Sequence, residues 1–249
     1  IGCGYLGAVH AACLASLGHD VVGVDVVPEQ AAALGRGVPP FYEPGLASLL
    51  ERTLATGRLR FTTDADEAAG ARVHFVCVGT PQRRGEYAAD VSAVHSVVAA
   101  LEPLLAPGDL VVGKSTVPVG TAEAIAERIA GGQPAAELVW NPEFLREGYA
   151  IKDTLTPDRL VYGVADGERG ERAVGVLDEV YAEAIGAGTP RIVTDLATAQ
   201  LVKVAANSFL ATKISFINAM AELCEATGTV VVALADAIGH DERIGRRFL

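Results

Sequence analysis

Glycines at positions 2, 4 and 7, in the stretch GCGYLG, restrict what this chain can become more than any other feature. The G-x-G-x-x-G spacing suits a strand that turns sharply into a helix. Gly2 makes the tight turn, Gly4 lets the backbone approach a pyrophosphate, and Gly7 lets the helix pack close to the sheet. A helix opening at Tyr5 and Leu6 then directs free N–H groups and a positive dipole end at the phosphates. The next strand pattern, DVVGVD, ends in Asp25, 21 residues after Gly4. A carboxylate there can hydrogen-bond the adenine ribose hydroxyls and repels a 2′-phosphate, so NAD is expected rather than NADP. The plainer reading of Asp25 is a solvated strand end. Only Ile1 precedes Gly2, so most of the sheet's first central strand is expected to lie upstream of these residues.

Short Val-rich runs alternate with helical patterns, the signature of βαβ units around a parallel sheet. Strands are predicted at 20–25, 58–62, 73–79, 110–115, 137–141, 159–164 and 191–193, with helices opening near Tyr5, Pro28, Pro44, Asp90, Thr121 and Glu168. From Asp195 the pattern changes to a helix of about 30 residues, capped by Asp195 and closed by Gly228. TVVVALADAIG then reads as a short helix with Gly239 as its C-cap. The expected fold is α/β: a Rossmann-like, doubly wound, mainly parallel sheet over 1–194, followed over 195–249 by a long helix that opens an all-α dimerisation region.

Composition narrows the function. A net charge of −11 argues against nucleic acid, because neutralising phosphates needs Lys and Arg in bulk. No apolar run reaches the ~18 residues of a membrane span, and a cytoplasmic enzyme is expected. The four cysteines (Cys3, Cys13, Cys77, Cys224) sit singly in apolar stretches and the five histidines lack ligand spacing, so no disulfide and no metal site is expected.

Three stretches place polar groups at the carboxyl ends of strands, the edge where open α/β sheets bind ligands. VCVGTPQ carries Thr80 and Pro81, VGKSTVPVGT carries Ser115 and Thr116, and WNPEFLREGYAIKD carries Glu143 and Glu147. In the long helix Lys203 and Asn207 are four apart and share a face. On spacing alone a snorkelling lysine is the favoured reading.

Taken together, GCGYLG, VGTP, KSTVPVGT, NPEFLREGYAIKD with PDRLVYG, KVAANSFLATKISFINAMAELCEATG and DERIGRRFL resemble the UDP-glucose 6-dehydrogenase family of nucleotide-sugar dehydrogenases. The resemblance runs in the family's order from Gly2 to Leu249. It implies oxidation of UDP-glucose at C6 to the carboxylate, using two NAD and a covalent intermediate on a cysteine. Relatives acting on GDP-mannose or UDP-N-acetylhexosamines share much of the pattern, and TPDRLVYG looks closer to the UDP-glucose type.

By the same resemblance, Lys203 and Asn207 would stabilise negative charge on the C6 oxygen, and Glu143 and Thr116 would position or activate water. Thr80 and Pro81 would line the nicotinamide side, with Thr116 also counted among the cofactor contacts. Glu147 would touch both cofactor and substrate, while Phe144 and Leu145 would offer backbone to the sugar nucleotide. Arg243 would reach the substrate of a second subunit, implying a homodimer across the long helix, whereas Arg246 and Arg247 read as solvated surface. The family's nucleophilic cysteine belongs to a segment expected to follow RRFL closely, and none of the four cysteines here substitutes for it. A truncated, non-catalytic NAD-binding paralogue is the competing reading. A β-hydroxyacid dehydrogenase would leave NPEFLREG and the RIG tail unexplained.

Overall fold

The computed structural model describes residues 1–249. Two compact units divide the chain, Ile1–Leu201 and Val202–Leu249.

In the first unit the glycine turn feeds α1 (Tyr5–Ser16), and Ala8, Ala11, Ala12 and Ala15 recur at i, i+3, i+4 and i+7 to make a flat apolar face. That face is buried in one cluster with Leu46, Leu49 and Leu50 of α3 (Leu46–Ala55), Leu34 of α2 (Pro28–Gly35) and Ala150 of α6 (Ala150–Leu155). Strand β1 (Val21–Val24) pairs in parallel with β2 (Leu59–Thr62). A second sheet runs in the order β3 (Val73–Val76), β4 (Leu110–Gly113), β5 (Glu137–Trp140), β6 (Leu160–Val164), β7 (Arg191–Asp195). Its pairings are parallel except the single Trp140–Gly163 pair between β5 and β6. Between the sheets lies Ile1: the Gly2 N–H donates to the Val24 carbonyl (2.8 Å), the Cys77 N–H to the Ile1 carbonyl (2.8 Å), and the Ile1 amino group to the Phe75 carbonyl (2.6 Å). The residue before the turn is therefore paired like a strand residue on both sides. The turn leaves this junction at the carboxyl edge, where the winding reverses and doubly wound sheets bind ligands.

The connecting helices are α4 (Ser92–Leu101), α5 (Thr121–Gly132), α7 (Glu168–Val180) and α8 (Ala182–Gly186). Ala173 and Leu177 of α7 pack with Leu110, Val112, Val139, Leu160 and Tyr162 in a second buried cluster, which holds the central strands. The helix expected near Pro44 begins instead at Leu46. Pro44 and Gly45 (φ 81°) form the middle of a turn closed by the Leu46 N–H on the Glu43 carbonyl (3.1 Å), the geometry that a Pro-Gly pair favours. Near Asp90 the helix starts at Ser92, whose N–H the Asp90 carboxylate accepts (2.9 Å).

His10 lies inside α1, buried with its ring 4.6 Å from that of Phe75, and its Nε2 has no hydrogen-bond partner. Burial, reinforced by the Lys114 ammonium, pushes its pKa well below the usual 6.5. Burial lowers His74 as well, against the pull of Asp109. Below about pH 6.5 the unfolded chain therefore binds protons that these two folded imidazoles refuse. Stability is present above that pH and falls as the pH drops, by about 1.4 kcal/mol per pH unit for each group until its folded pKa is reached. Urea unfolding of the first unit's transition at pH 7 and 5.5 should show a smaller acid loss in His10→Phe than in wild type. Equal losses would contradict the assignment.

The long helix α9 (Leu196–Thr227) starts in the first unit, where the Asp195 carboxylate accepts the Thr198 N–H (2.7 Å), as a capping residue should. Gln200 fastens this first turn to α5 by accepting the Ala122 N–H (3.0 Å) and donating to Glu123 (2.8 Å). In the second unit the helix closes as predicted at Gly228 (φ 69°), with the Thr229 N–H reaching back to the Cys224 carbonyl (2.9 Å). Then follows α10 (Val231–Gly239). Gly239 is not a left-handed cap but the last helical residue. A Cβ there would lie 2.7 Å from Arg246 Cγ, so it is small because the tail packs on it. Arg246 is exposed and forms a surface ion pair with Asp236 (2.9 Å).

Candidate functional site

The three glycines differ in what surrounds them. Gly2 takes φ 83°, where an L residue is strained, and a Cβ on it would meet Val78 Cγ1 at 2.6 Å. A Cβ on Gly7 would fall 1.8 Å from the Gly2 carbonyl oxygen, so the helix can lie against the turn only without a side chain there. A Cβ on Gly4 would meet nothing within 4 Å, which leaves open space on that side of the start of α1. That start, at Tyr5 and Leu6, has no side-chain cap and no acidic residue in its first turn. Its N–H groups and dipole end thus remain available to an anionic ligand, which is what a pyrophosphate requires.

Asp25 is buried, not a solvated strand end. Its carboxylate accepts the Cys3 N–H (2.7 Å), the Val27 N–H (2.9 Å) and the Gln30 amide (3.1 Å). The acidic group expected at the ribose is therefore also a brace that holds the glycine turn against the end of β1.

The polar strand ends form a second wall. Gly113 pairs with Trp140, and the Asn141 N–H donates to the Gly113 carbonyl (2.8 Å), so the segments carrying Thr116 and Glu143 leave the sheet side by side. The close approach depends on Gly113, because a Cβ there would sit 2.2 Å from the buried Trp140 ring. The Thr80 hydroxyl donates to the Thr116 carbonyl (2.6 Å) and the Ser115 hydroxyl to the Val78 carbonyl (2.7 Å), which tie the β3 and β4 ends together. Pro81 is exposed beside them. The Glu143 carboxylate accepts the Leu145 N–H (2.5 Å), so that amide already has a partner within the loop. Phe144 lies under the Arg159 guanidinium at 3.8 Å, a cation–π contact. Glu147 is exposed.

Two groups of residues at this edge escape a reading by pattern. Lys114, buried, donates to Asn141 Oδ1 (2.9 Å) and to the Tyr181 hydroxyl (3.2 Å), and Tyr181 donates to the same Asn141 oxygen (2.9 Å). With Asn141 Nδ2 on the Val161 carbonyl (2.9 Å), this set fastens the ends of β4, β5 and β6. It shares with Glu143 and Leu145 the lining of a cavity of about 50 Å³. The other is the buried carboxylate of Glu43, which receives the Tyr5 hydroxyl and the N–H groups of Gly148 (2.8 Å) and Ala150 (2.9 Å).

In the second unit Lys203 and Asn207 stand one turn apart on α9. Lys203 is buried and Asn207 exposed, and a buried lysine does not have the geometry of a snorkelling one. Arg243 is exposed and forms an ion pair with Asp241 (2.6 Å).

The chain matches the UDP-glucose/GDP-mannose dehydrogenase family over residues 1–185, as its NAD binding domain, and over residues 197–249, as its central domain. The UDP-glucose 6-dehydrogenase of Rhizobium meliloti is 47% identical over 252 residues, covering 100% of this chain and 57% of the relative. TuaD, a UDP-glucose 6-dehydrogenase of Bacillus subtilis, is 41% identical over 100% of this chain and 53% of its own. A UDP-glucose dehydrogenase from Pyrobaculum islandicum superposes with a TM-score of 0.90 at 41% identity, over 99% of this chain and 57% of that one. A GDP-mannose dehydrogenase from Pseudomonas aeruginosa gives 0.88 at 32% identity, over 96% and 56%. The chain thus spans about half the length of the curated relatives it matches. The match to the family's NAD binding domain covers residues 1–185, and within them the glycine turn, the uncapped start of α1 and buried Asp25 are the features able to receive an anionic dinucleotide.

Proposed function

Because the chain belongs to the UDP-glucose/GDP-mannose dehydrogenase family, we propose that the protein oxidises UDP-glucose to UDP-glucuronate with two NAD. The observation that carries this reading is the convergence, at one sheet edge, of an open dinucleotide turn with the loops bearing Thr116, Glu143 and Glu147. The overall change balances as one alcohol, two NAD and one water giving one carboxylate, two NADH and three protons.

Bound NAD would accept the hydride from C6 in the first oxidation, while Glu143 and Thr116 would hold the water through which the hydroxyl proton reaches the Glu143 carboxylate. Lys203 and Asn207 oppose the charge that grows on the C6 oxygen, and a desolvated ammonium suits that task. Thr80, Pro81 and Glu147 are assigned to the reacting end of the cofactor, and the backbone of Phe144 and Leu145 to the sugar nucleotide. The thioester step needs a thiolate. Burial pushes the Cys3 and Cys13 thiols up to about 12 and raises Cys77, which supports the reading that the nucleophile is none of these.

We assign the partner as a second copy, with Arg243 reaching the other subunit's substrate. Support comes from Phe209 (66% exposed), Phe216 (49%) and Leu223 (56%), spaced by seven along α9, an apolar stripe that a helix normally covers. Substrate choice is tested by NADH formation from UDP-glucose, GDP-mannose and UDP-N-acetylglucosamine by the protein in its native length. UDP-glucose should give the highest kcat/KM. A higher value with another sugar would reassign the substrate, and NAD binding without turnover of any of the three would support the non-catalytic paralogue.

A further inference from the structure

Glu43 has no role in any reading of the motifs, yet it is a buried carboxylate that joins three distant parts of the first unit. Its position is fixed locally: it opens the Glu43-Pro44-Gly45-Leu46 turn, whose closure by the Leu46 N–H aims the side chain inward. One carboxylate oxygen receives the hydroxyl of Tyr5, the first residue of α1 and the fourth of the glycine motif, together with the Gly148 N–H (2.8 Å). The other oxygen receives the Ala150 N–H (2.9 Å) at the start of α6. The Gly148 N–H also approaches the Tyr5 hydroxyl (3.2 Å), which closes a small ring of hydrogen bonds. Gly148 directly follows Glu147 and takes φ 82°, so the backbone that presents Glu147 turns sharply where Glu43 grips it.

We propose that Glu43 is a positioning residue of the cofactor site, a buried carboxylate that ties the pyrophosphate turn at Tyr5 to the 147–150 segment and so sets where Glu147 stands relative to bound NAD. The inference rests on the assignment of Glu147 to the reacting end of the cofactor. The geometry favours a carboxylate over its neutral relatives. Glutamine offers one acceptor oxygen and turns an NH2 toward a donor, and aspartate is one methylene too short to span Tyr5 and Ala150 from the same turn. A carboxylate here costs little, because backbone N–H groups and a phenol satisfy both of its oxygens. Burial and the Glu43 contact push the Tyr5 hydroxyl up to about 12, so it stays a donor at neutral pH.

The test is calorimetric titration of wild type, Glu43→Gln and Gly45→Ala with NAD and with AMP, which spans the Asp25 end and the glycine turn but lacks the nicotinamide half that would approach Glu147. Gly45→Ala strains the same turn at φ 81° while its Cβ meets nothing closer than Ile151 Cδ1 at 3.7 Å, so it displaces Glu43 without crowding the core. Glu43→Gln should weaken NAD at least tenfold and Gly45→Ala severalfold, with AMP changed less than twofold in both. A role confined to stability predicts a lower unfolding temperature with the NAD-to-AMP affinity ratio unchanged, and that ratio unchanged in both variants would overturn the proposal. Should Glu43→Gln fail to fold, the ratio in Gly45→Ala decides alone. Glu147→Gln is titrated in parallel: if it leaves NAD binding untouched, the placement of Glu147 is refuted, a result distinct from the comparison of Glu43→Gln with wild type.

Discussion

Gly7→Ala should abolish NAD binding and destabilise the first unit by about 3 kcal/mol, at the upper end of what overpacking a filled site costs. The added Cβ would lie 1.8 Å from the Gly2 carbonyl oxygen and 3.2 Å from Cys77 Cβ, distances that the backbone can relieve only by moving α1 away from the turn. That motion pulls on the Gly2–Val24 and Cys77–Ile1 hydrogen bonds, which are the pairing between β1 and β3 at this point. Gly4→Ala is the matched control. Gly4 has φ −63° and open space around it, so alanine is tolerated by the fold, yet its methyl group stands where the pyrophosphate would come close. Thermal unfolding and NAD titration together should show Gly7→Ala losing both stability and binding, and Gly4→Ala losing binding alone. A Gly7→Ala protein that binds NAD like wild type would mean that the turn and helix do not form the phosphate site.

Lys203→Ala, made in the native-length protein, should lower kcat by roughly 10²- to 10³-fold, the range found on removing one donor to a developing oxyanion, or about 2.7 to 4 kcal/mol of transition-state stabilisation. NAD affinity should change by less than threefold, because the ammonium opposes charge on the substrate oxygen rather than on the cofactor. Lys203 is buried on α9, so the competing expectation is also sharp: a lysine kept for packing would leave kcat near wild type and shift only the unfolding midpoint. Steady-state kinetics beside urea unfolding distinguishes the two.

What could be read along the chain and what could not separates by sequence distance. The glycine turn, Asp25 at the end of β1, and Asp195 with Gly228 bounding α9 are all local devices, whose partners lie within a turn or one βα unit, and the structure places each of those elements where the spacing puts it. Pro44 shows the limit of local signals: the same residue type serves the first turn of a helix or the second position of a β-turn, and Gly45 beside it decides for the β-turn. Gly239 shows another, since its small size answers to Arg246 packing against it and not to a left-handed cap. Glu43 lies 38 residues from Tyr5 and 105 from Gly148, and Lys114 lies 67 from Tyr181, so only the folded chain brings these partners together. The one hint was chemical: Glu43 beside PGL, and Lys114 closing the apolar strand LVVG, are charged residues where burial is costly unless partners are provided.

Counting NADH per sugar decides whether the proposed reaction is a four-electron oxidation of UDP-glucose. The protein in its native length, given limiting UDP-glucose and excess NAD, should form two NADH for each UDP-glucose consumed, with UDP-glucuronate as the product. One NADH per sugar with aldehyde accumulating, or no NADH from UDP-glucose while NAD still binds, would contradict it.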